Sequence, residues 1–153
     1  PSGAQLLRSS YMLRFQWPDA EAHLAANDFA ALRALAQRWS PGTDLAATLA
    51  PVIAGFSERA RLSAALGYYR ALPRTVFSGE GWQAATALVS VPACVIHGAR
   101  DGCMGAEMFE QQNHLFAAGV RTVRIEQAGH YVQVEQPQQF AAAVLAFLIS
   151  LPA

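Results

Sequence analysis

The sequence predicts an α/β chain, with helices over residues 1–90 and a βαβα unit of a parallel sheet over residues 91–153. Two observations carry this. Up to about residue 90 the apolar residues recur at helical spacing. Beyond it, two β-branched runs, Val91 to Ile96 and Arg121 to Glu126, flank an interval long enough for a crossover, and strands joined that way pair in parallel. Parallel sheets are normally buried on both faces within a larger array. Two strands are too few, so partner strands are expected from a missing N-terminal half or from a second chain.

Taken in order, Leu6 to Phe15 has loose helical spacing and is stopped by Pro18. Asp19 to Leu24 and Asp28 to Trp39 each open on Asp, and Asp28 is the expected N-cap of a face formed by Phe29, Leu32, Leu35, Ala36 and Trp39. Ser40-Pro41-Gly42 ends it. Leu45 to Phe56 is expected to break at Pro51, and Ser57 to cap Glu58 to Leu72, with Pro73 marking the exit. Residues 74–90 read as a loop with at most a short helix, anchored by Trp82 and Leu88. Ala106 to Ala118 is the expected crossover helix, and Pro137 to Leu148 the closing one, with Pro137 in its first turn.

At 153 residues and 53% apolar, the chain can bury a core without disulfides or metals. Eleven cations balance eleven anions, and every cation is Arg, so no basic patch points to nucleic acid or anionic lipid. A small neutral substrate fits better. Cys94 and Cys103 read as plain core or near-core thiols, with no Cys or His cluster around them in the sequence for zinc. The longest apolar run, Phe140 to Ile149, is ten residues, half of a membrane span. With no secretory signal, a cytoplasmic location is expected. The chain opens on Pro1 rather than Met, as expected of a piece of a longer protein or of a processed chain.

The chemistry concentrates between Val91 and Glu135. The run V-P-A-C-V-I-H-G-A-R-D-G delivers an acid, Asp101, and R-T-V-R-I-E-Q-A-G-H-Y-V-Q-V-E delivers a base, His130. An Asp that holds a His in one tautomer is two thirds of a hydrolytic triad. By its neighbours alone, Asp101 could also be a turn residue before Gly102, and His130 a capping residue. His97 and His114 carry no assigned role. The nucleophile is missing: no G-x-S-x-G occurs, since Ser57 sits in G-F-S-E-R and Ser78 in F-S-G-E-G.

Those residues resemble the C-terminal part of the α/β-hydrolase fold. V-I-H-G-A-R-D is similar to its acid strand, and A-G-H-Y-V-Q-V-E-Q-P-Q-Q-F to its histidine loop and last helix. Within that fold, S-S-Y-M-L-R-F-Q-W-P and A-L-G-Y-Y-R-A-L-P resemble the two tyrosine-bearing cap segments of epoxide hydrolases. The resemblance implies a helical cap over residues 1–90 and Tyr11 and Tyr69 facing an epoxide oxygen. It also implies a carboxylate nucleophile outside the chain, with His130 activating water against an ester intermediate. Phe15, Trp17, Trp39 and Tyr131 are candidate pocket walls, and no cofactor or metal is implied. The alternatives are an esterase or dehalogenase of the same fold, or a non-catalytic domain that binds a partner or forms a homo-oligomer through its open sheet edge.

Overall fold

The structure, a computed structural model, describes residues 2–109 and 112–151. Ser2 opens α1 (Gly3–Arg8) by accepting a hydrogen bond from the Gln5 amide at 3.1 Å. The single helix expected over Leu6 to Phe15 is two short ones, because the chain turns at Ser9-Ser10 before α2 (Tyr11–Arg14). The Gln5 side chain, donating to Ser9 Oγ at 3.1 Å, holds that turn.

Helix α3 (Ala20–Trp39) is kinked at Ala26 to Phe29, where Asn27, Asp28 and Phe29 take left-handed φ angles of 52°, 53° and 59°. The two expected helical pieces are therefore joined by a left-handed turn. Asp28 lies inside that turn and caps nothing, its carboxylate being taken by Arg33 at 2.9 Å. Helix α4 (Ala46–Phe56) runs through Pro51 without the expected break, since Leu49 and Ile53 on either side of the proline are both anchored in the core. Ser57 belongs to this helix, donating to the Ile53 carbonyl at 3.0 Å, and does not cap the next. Helix α5 (Arg59–Phe77) passes Pro73, and α6 (Gly79–Thr86) is the short helix allowed for within the expected loop, with the Ser78 hydroxyl accepting from Gly81 at 2.9 Å. Trp82 and Leu88 are exposed and anchor nothing among the described residues.

The helical layer closes on Phe15, Leu24, Phe29, Leu49, Leu62 and Leu66. One ion pair crosses it: Arg70 of α5 clasps Glu21 of α3 with two bonds, at 2.7 and 2.9 Å. That fork holds the Glu21 carboxyl down at about 2. A depressed carboxylate stabilises the fold above its unfolded value, near 4.3, and the contribution is lost as pH falls through about 2. Thermal unfolding between pH 5 and pH 2 is accordingly expected to fall less steeply with acid in Glu21→Gln than in the parent chain.

Strands β1 (Ala93–Gly98) and β2 (Val120–Ile125) pair in parallel, from Ala93 opposite Val120 to Gly98 opposite Ile125. The crossover between them is not the expected helix. It makes two 3₁₀ turns, Ala106–Met108 and Asn113–Leu115, with residues 110–111 outside the described ones. Tertiary contacts override helical propensity here: Phe109 stacks on the buried His97 ring at 4.5 Å, and Val89 donates to the Leu115 carbonyl at 2.8 Å. Helix α7 (Val132–Glu135) and helix α8 (Pro137–Ile149) follow β2, with Pro137 in the first turn as expected. Ile125, Ala128 and Val132 make a small core with Ile96, Val123 and Phe140. The outer side of α8 stays bare, with Leu145, Leu148 and Ile149 exposed. No helix among the described residues is long and apolar enough to cross a membrane.

Candidate active site

Asp101 and His130 meet because the two loops that follow β1 and β2 are zipped together. Ala99 donates to the Ile125 carbonyl and Arg100 to the Ala128 carbonyl, each at 2.9 Å. The approach is so close that a Cβ on Gly98 would run into the carbonyl oxygens of Ala128 and Gly129. Gly98 is thus a packing requirement of the site.

The Asp101 carboxylate is used at both oxygens. Oδ1 accepts from the Cys103 amide at 2.7 Å and the Met104 amide at 2.9 Å, and Oδ2 faces His130 Nδ1 at 2.9 Å. Burial alone would push this acid up; the bonds from His130, Met104 and Cys103 outweigh it and hold it below the ordinary aspartate value. Asp101 therefore stays ionised and keeps the His130 proton on Nδ1, which leaves Nε2 as the free base. The carboxylate is 6% exposed and the imidazole 30%, an arrangement with a fixed acid behind an accessible base.

Three residues that sequence reasoning passed over hold the pair in place. Gln5 of α1 reaches the acid loop, donating to the Cys103 carbonyl and accepting from Gly105, both at 2.9 Å. Ser40, fully buried after α3, donates to Glu135 Oε1 at 2.6 Å while its Oγ accepts from the amides of His130 and Tyr131 at 3.0 and 3.3 Å. Glu135 also accepts from Tyr131 at 3.1 Å, from Thr43 Oγ1 at 3.0 Å and from Gly129 at 2.7 Å. The Trp39 carbonyl joins both loops, accepting from Gly102 at 3.0 Å and His130 at 3.1 Å. The only signal for Glu135 in the sequence was its place five residues after His130; Ser40 had read as a helix stop.

The aromatic candidates fall into one connected group, with one exception. The Tyr11 and Tyr69 rings lie 6.0 Å apart, Phe15 is edge-on to both at 5.4 and 5.0 Å, and Trp39 bridges Tyr11 at 5.2 Å to His130 at 5.1 Å. Tyr131 touches both Trp39 and His130. Trp17 stands outside the group, exposed beneath the Arg14 guanidinium. Tyr68 is likewise exposed, which leaves Tyr69 as the tyrosine of that pair packed inward. Burial pushes both the Tyr11 and Tyr69 phenols up, so both remain protonated donors near neutral pH. Phe15, Trp39 and Tyr69 line an apolar cavity of about 200 Å³, and the Trp39 indole N–H is buried without a partner among the described residues. Tyr11 borders a second cavity, of about 320 Å³, with Arg14 and Arg38. Cys103 is buried, as expected of a core or near-core thiol, and its Sγ also lies 3.6 Å from the Tyr11 hydroxyl, beside Asp101 and His130.

A buried Asp behind a His, on consecutive parallel strand ends under a helical layer, is the C-terminal half of an α/β-hydrolase fold, and solved structures match it over that half. The epoxide hydrolase of Bacillus megaterium, solved with an inhibitor, superposes with a TM-score of 0.75 at 22% identity, over 97% of this chain and 54% of that one. Cfl2 of Burkholderia cenocepacia superposes with a TM-score of 0.72 at 20% identity, over 96% of this chain and 50% of that one. In sequence the chain is similar to epoxide hydrolase A of Mycobacterium tuberculosis (strain ATCC 25618 / H37Rv), at 29% identity over 92% of the chain. It spans about half the length of that relative, 52%. No family model matches the chain.

Proposed function

We propose that this chain is the cap and acid–base half of an epoxide hydrolase, with residues 1–90 as the cap and residues 91–153 as part of the catalytic core. The observation that carries the proposal is the continuous aromatic path from the Tyr11–Tyr69 pair through Trp39 to a His130 already held by Asp101. An esterase needs a base and an acid but has no use for two protonated phenols beside them. Epoxide opening does, because the departing alkoxide is a poor leaving group unless a donor stabilises it.

In this mechanism a carboxylate from outside the chain attacks an epoxide carbon, giving a hydroxyalkyl ester as the C–O bond of the ring breaks. Tyr11 and Tyr69 donate to the ring oxygen, which leaves as a hydroxyl. His130 Nε2 then takes a proton from water, the hydroxide attacks the ester carbonyl, the diol oxygen leaves with the proton of the acid so formed, and the imidazolium returns its proton to the tyrosinate that protonated the ring oxygen, which restores nucleophile, base and donor. Phe15, Trp39 and Tyr131 supply apolar wall, and Trp17 has no part. The remaining sheet would cover the exposed Leu145, Leu148 and Ile149, and would meet His97, whose Nδ1 is buried without a partner among the described residues. Two free cysteines fit a reducing, cytoplasmic setting.

The test is diol formation from a neutral aromatic epoxide by the full-length gene product. The Tyr11→Phe/Tyr69→Phe double variant is expected to lose at least about 100-fold in turnover, and His130→Ala more, since each removes proton-transfer or alkoxide stabilisation worth that much. Unchanged turnover in both variants would overturn the mechanism.

A further inference from the structure

The Asp101, Cys103 and His130 side chains form a group that the hydrolytic mechanism uses only in part. Each offers one ligand atom, and the three atoms lie within 4.8 Å of one another. We propose that these residues bind a thiophilic divalent cation of the Zn²⁺ type, and that its binding switches the acid–base pair off.

The donor set selects the metal. One thiolate, one imidazole and one carboxylate suit a borderline-soft ion and are a poor match for Mg²⁺ or Ca²⁺, which take oxygen ligands. The spacing is close to what a tetrahedral site needs. With bonds of about 2.0 Å to nitrogen and oxygen and about 2.3 Å to sulfur, neighbouring ligand atoms sit about 3.3–3.6 Å apart. The Asp101–His130 contact, now 2.9 Å, has to open by a few tenths of an ångström, and the wider separations, up to 4.8 Å, have to close by about 1 Å, a movement on the scale that a χ1 change of Cys103 supplies. The acid loop keeps its shape meanwhile, because Asp101 Oδ1 remains bonded to the Cys103 and Met104 amides. The half-buried imidazole leaves a way in, and a fourth position for water.

Proton bookkeeping gives the consequence. The cation takes the Nδ1 lone pair, so the ring proton moves from Nδ1 to Nε2, and Cys103 releases its thiol proton to solvent. One proton leaves per metal bound. His130 then carries its proton on the nitrogen that the hydrolytic step needs free, and Asp101 no longer orients it. Inhibition, unlike binding, rests on the function proposed above.

The test uses Zn²⁺ and Co²⁺ salts alone as probes. One Co²⁺ per chain is expected, with an intense near-ultraviolet thiolate-to-metal charge-transfer band. The band is expected to vanish in the near-isosteric Cys103→Ser and persist in Cys94→Ser, which removes the other, half-buried thiol. Calorimetry is expected to show Zn²⁺ affinity falling at least about tenfold in Cys103→Ser and in Asp101→Asn. No thiolate band in the parent protein, or equal Zn²⁺ affinity in parent and Cys103→Ser, would overturn the site. A protein that shows the band but opens no epoxide supports the site while defeating the functional reading, so the two failures stay separate.

Discussion

Asp101→Asn is expected to leave the full-length protein folded and to lower its turnover by about 10,000-fold, the scale on which a wrong histidine tautomer acts in a hydrolytic triad. The substitution is nearly isosteric, yet its orientation is forced. Oδ1 accepts from two backbone amides, at 2.7 and 2.9 Å, so the asparagine oxygen must sit there. Its NH₂ group is then turned toward His130 Nδ1, which has to become an acceptor. The imidazole proton moves to Nε2 and the base is lost. Because only the second half-reaction needs that base, the ester intermediate is expected to accumulate, visible in the intact mass as protein plus epoxide. An Asn variant with parental turnover and no adduct would refute the pair's role. The same variant reports on acid stability. The folded Asp101 carboxyl lies below its ordinary value, so its contribution is present above about 3.9 and disappears as pH falls through the depressed folded value. Asn removes that part of the acid limb.

How much of this was legible in the sequence depends on whether the signal was local. The strands, their parallel pairing and the meeting of Asp101 with His130 beyond them were legible, since β-branched runs and loop positions are properties of short windows. Proline was misleading at both Pro51 and Pro73: the first helix continues because Leu49 and Ile53 on either side of Pro51 are pinned in the core, which outweighs one lost backbone bond, whereas α5 runs on past Pro73 with Val76 and Phe77 exposed and no packing to explain it. Asp28 failed as a cap because the backbone turns left-handed through it, a conformation that no local pattern announced. The supporting residues of the site were the least legible. Gln5 and Gly105 are 100 positions apart, Ser40 and Glu135 are 95 apart, and Cys103 reaches His130 only after the loops have closed on each other. Such residues look like ordinary surface polar groups until the fold gives them partners.

Glu135 is where that hidden support is greatest, and Glu135→Ala is expected to be the most damaging single change to stability at the site. The carboxylate takes four hydrogen bonds, from Ser40 and Tyr131 on one oxygen and from Thr43 and Gly129 on the other. Two of the donors are backbone amides flanking His130, and two are side chains that follow α3. Deleting the acceptor strands these donors together; at about 1–3 kcal/mol for each unsatisfied group, and less than additively, a loss of about 2–4 kcal/mol is expected. That corresponds to roughly 5–15 °C in Tm for a domain of this size, measurable by thermal unfolding. Glu135→Gln should fall between. An amide offers one oxygen, so its NH₂ must face either the Tyr131 or the Gly129 amide, and one end of the clasp is broken whichever way it turns. Ser40→Ala removes the other partner of the same clasp, and its oxygen also accepts from the His130 amide. The double variant Ser40→Ala/Glu135→Ala is therefore expected to cost less than the two single losses added together, a coupling that two independent surface residues would not show. Its effect on chemistry separates positioning from mere stability. At a temperature where all variants are folded, kcat is expected to fall by more than KM rises, because Phe15, Leu66 and Tyr69 of the cavity make no bond to Glu135, while the clasp anchors His130 and, of the walls, Tyr131.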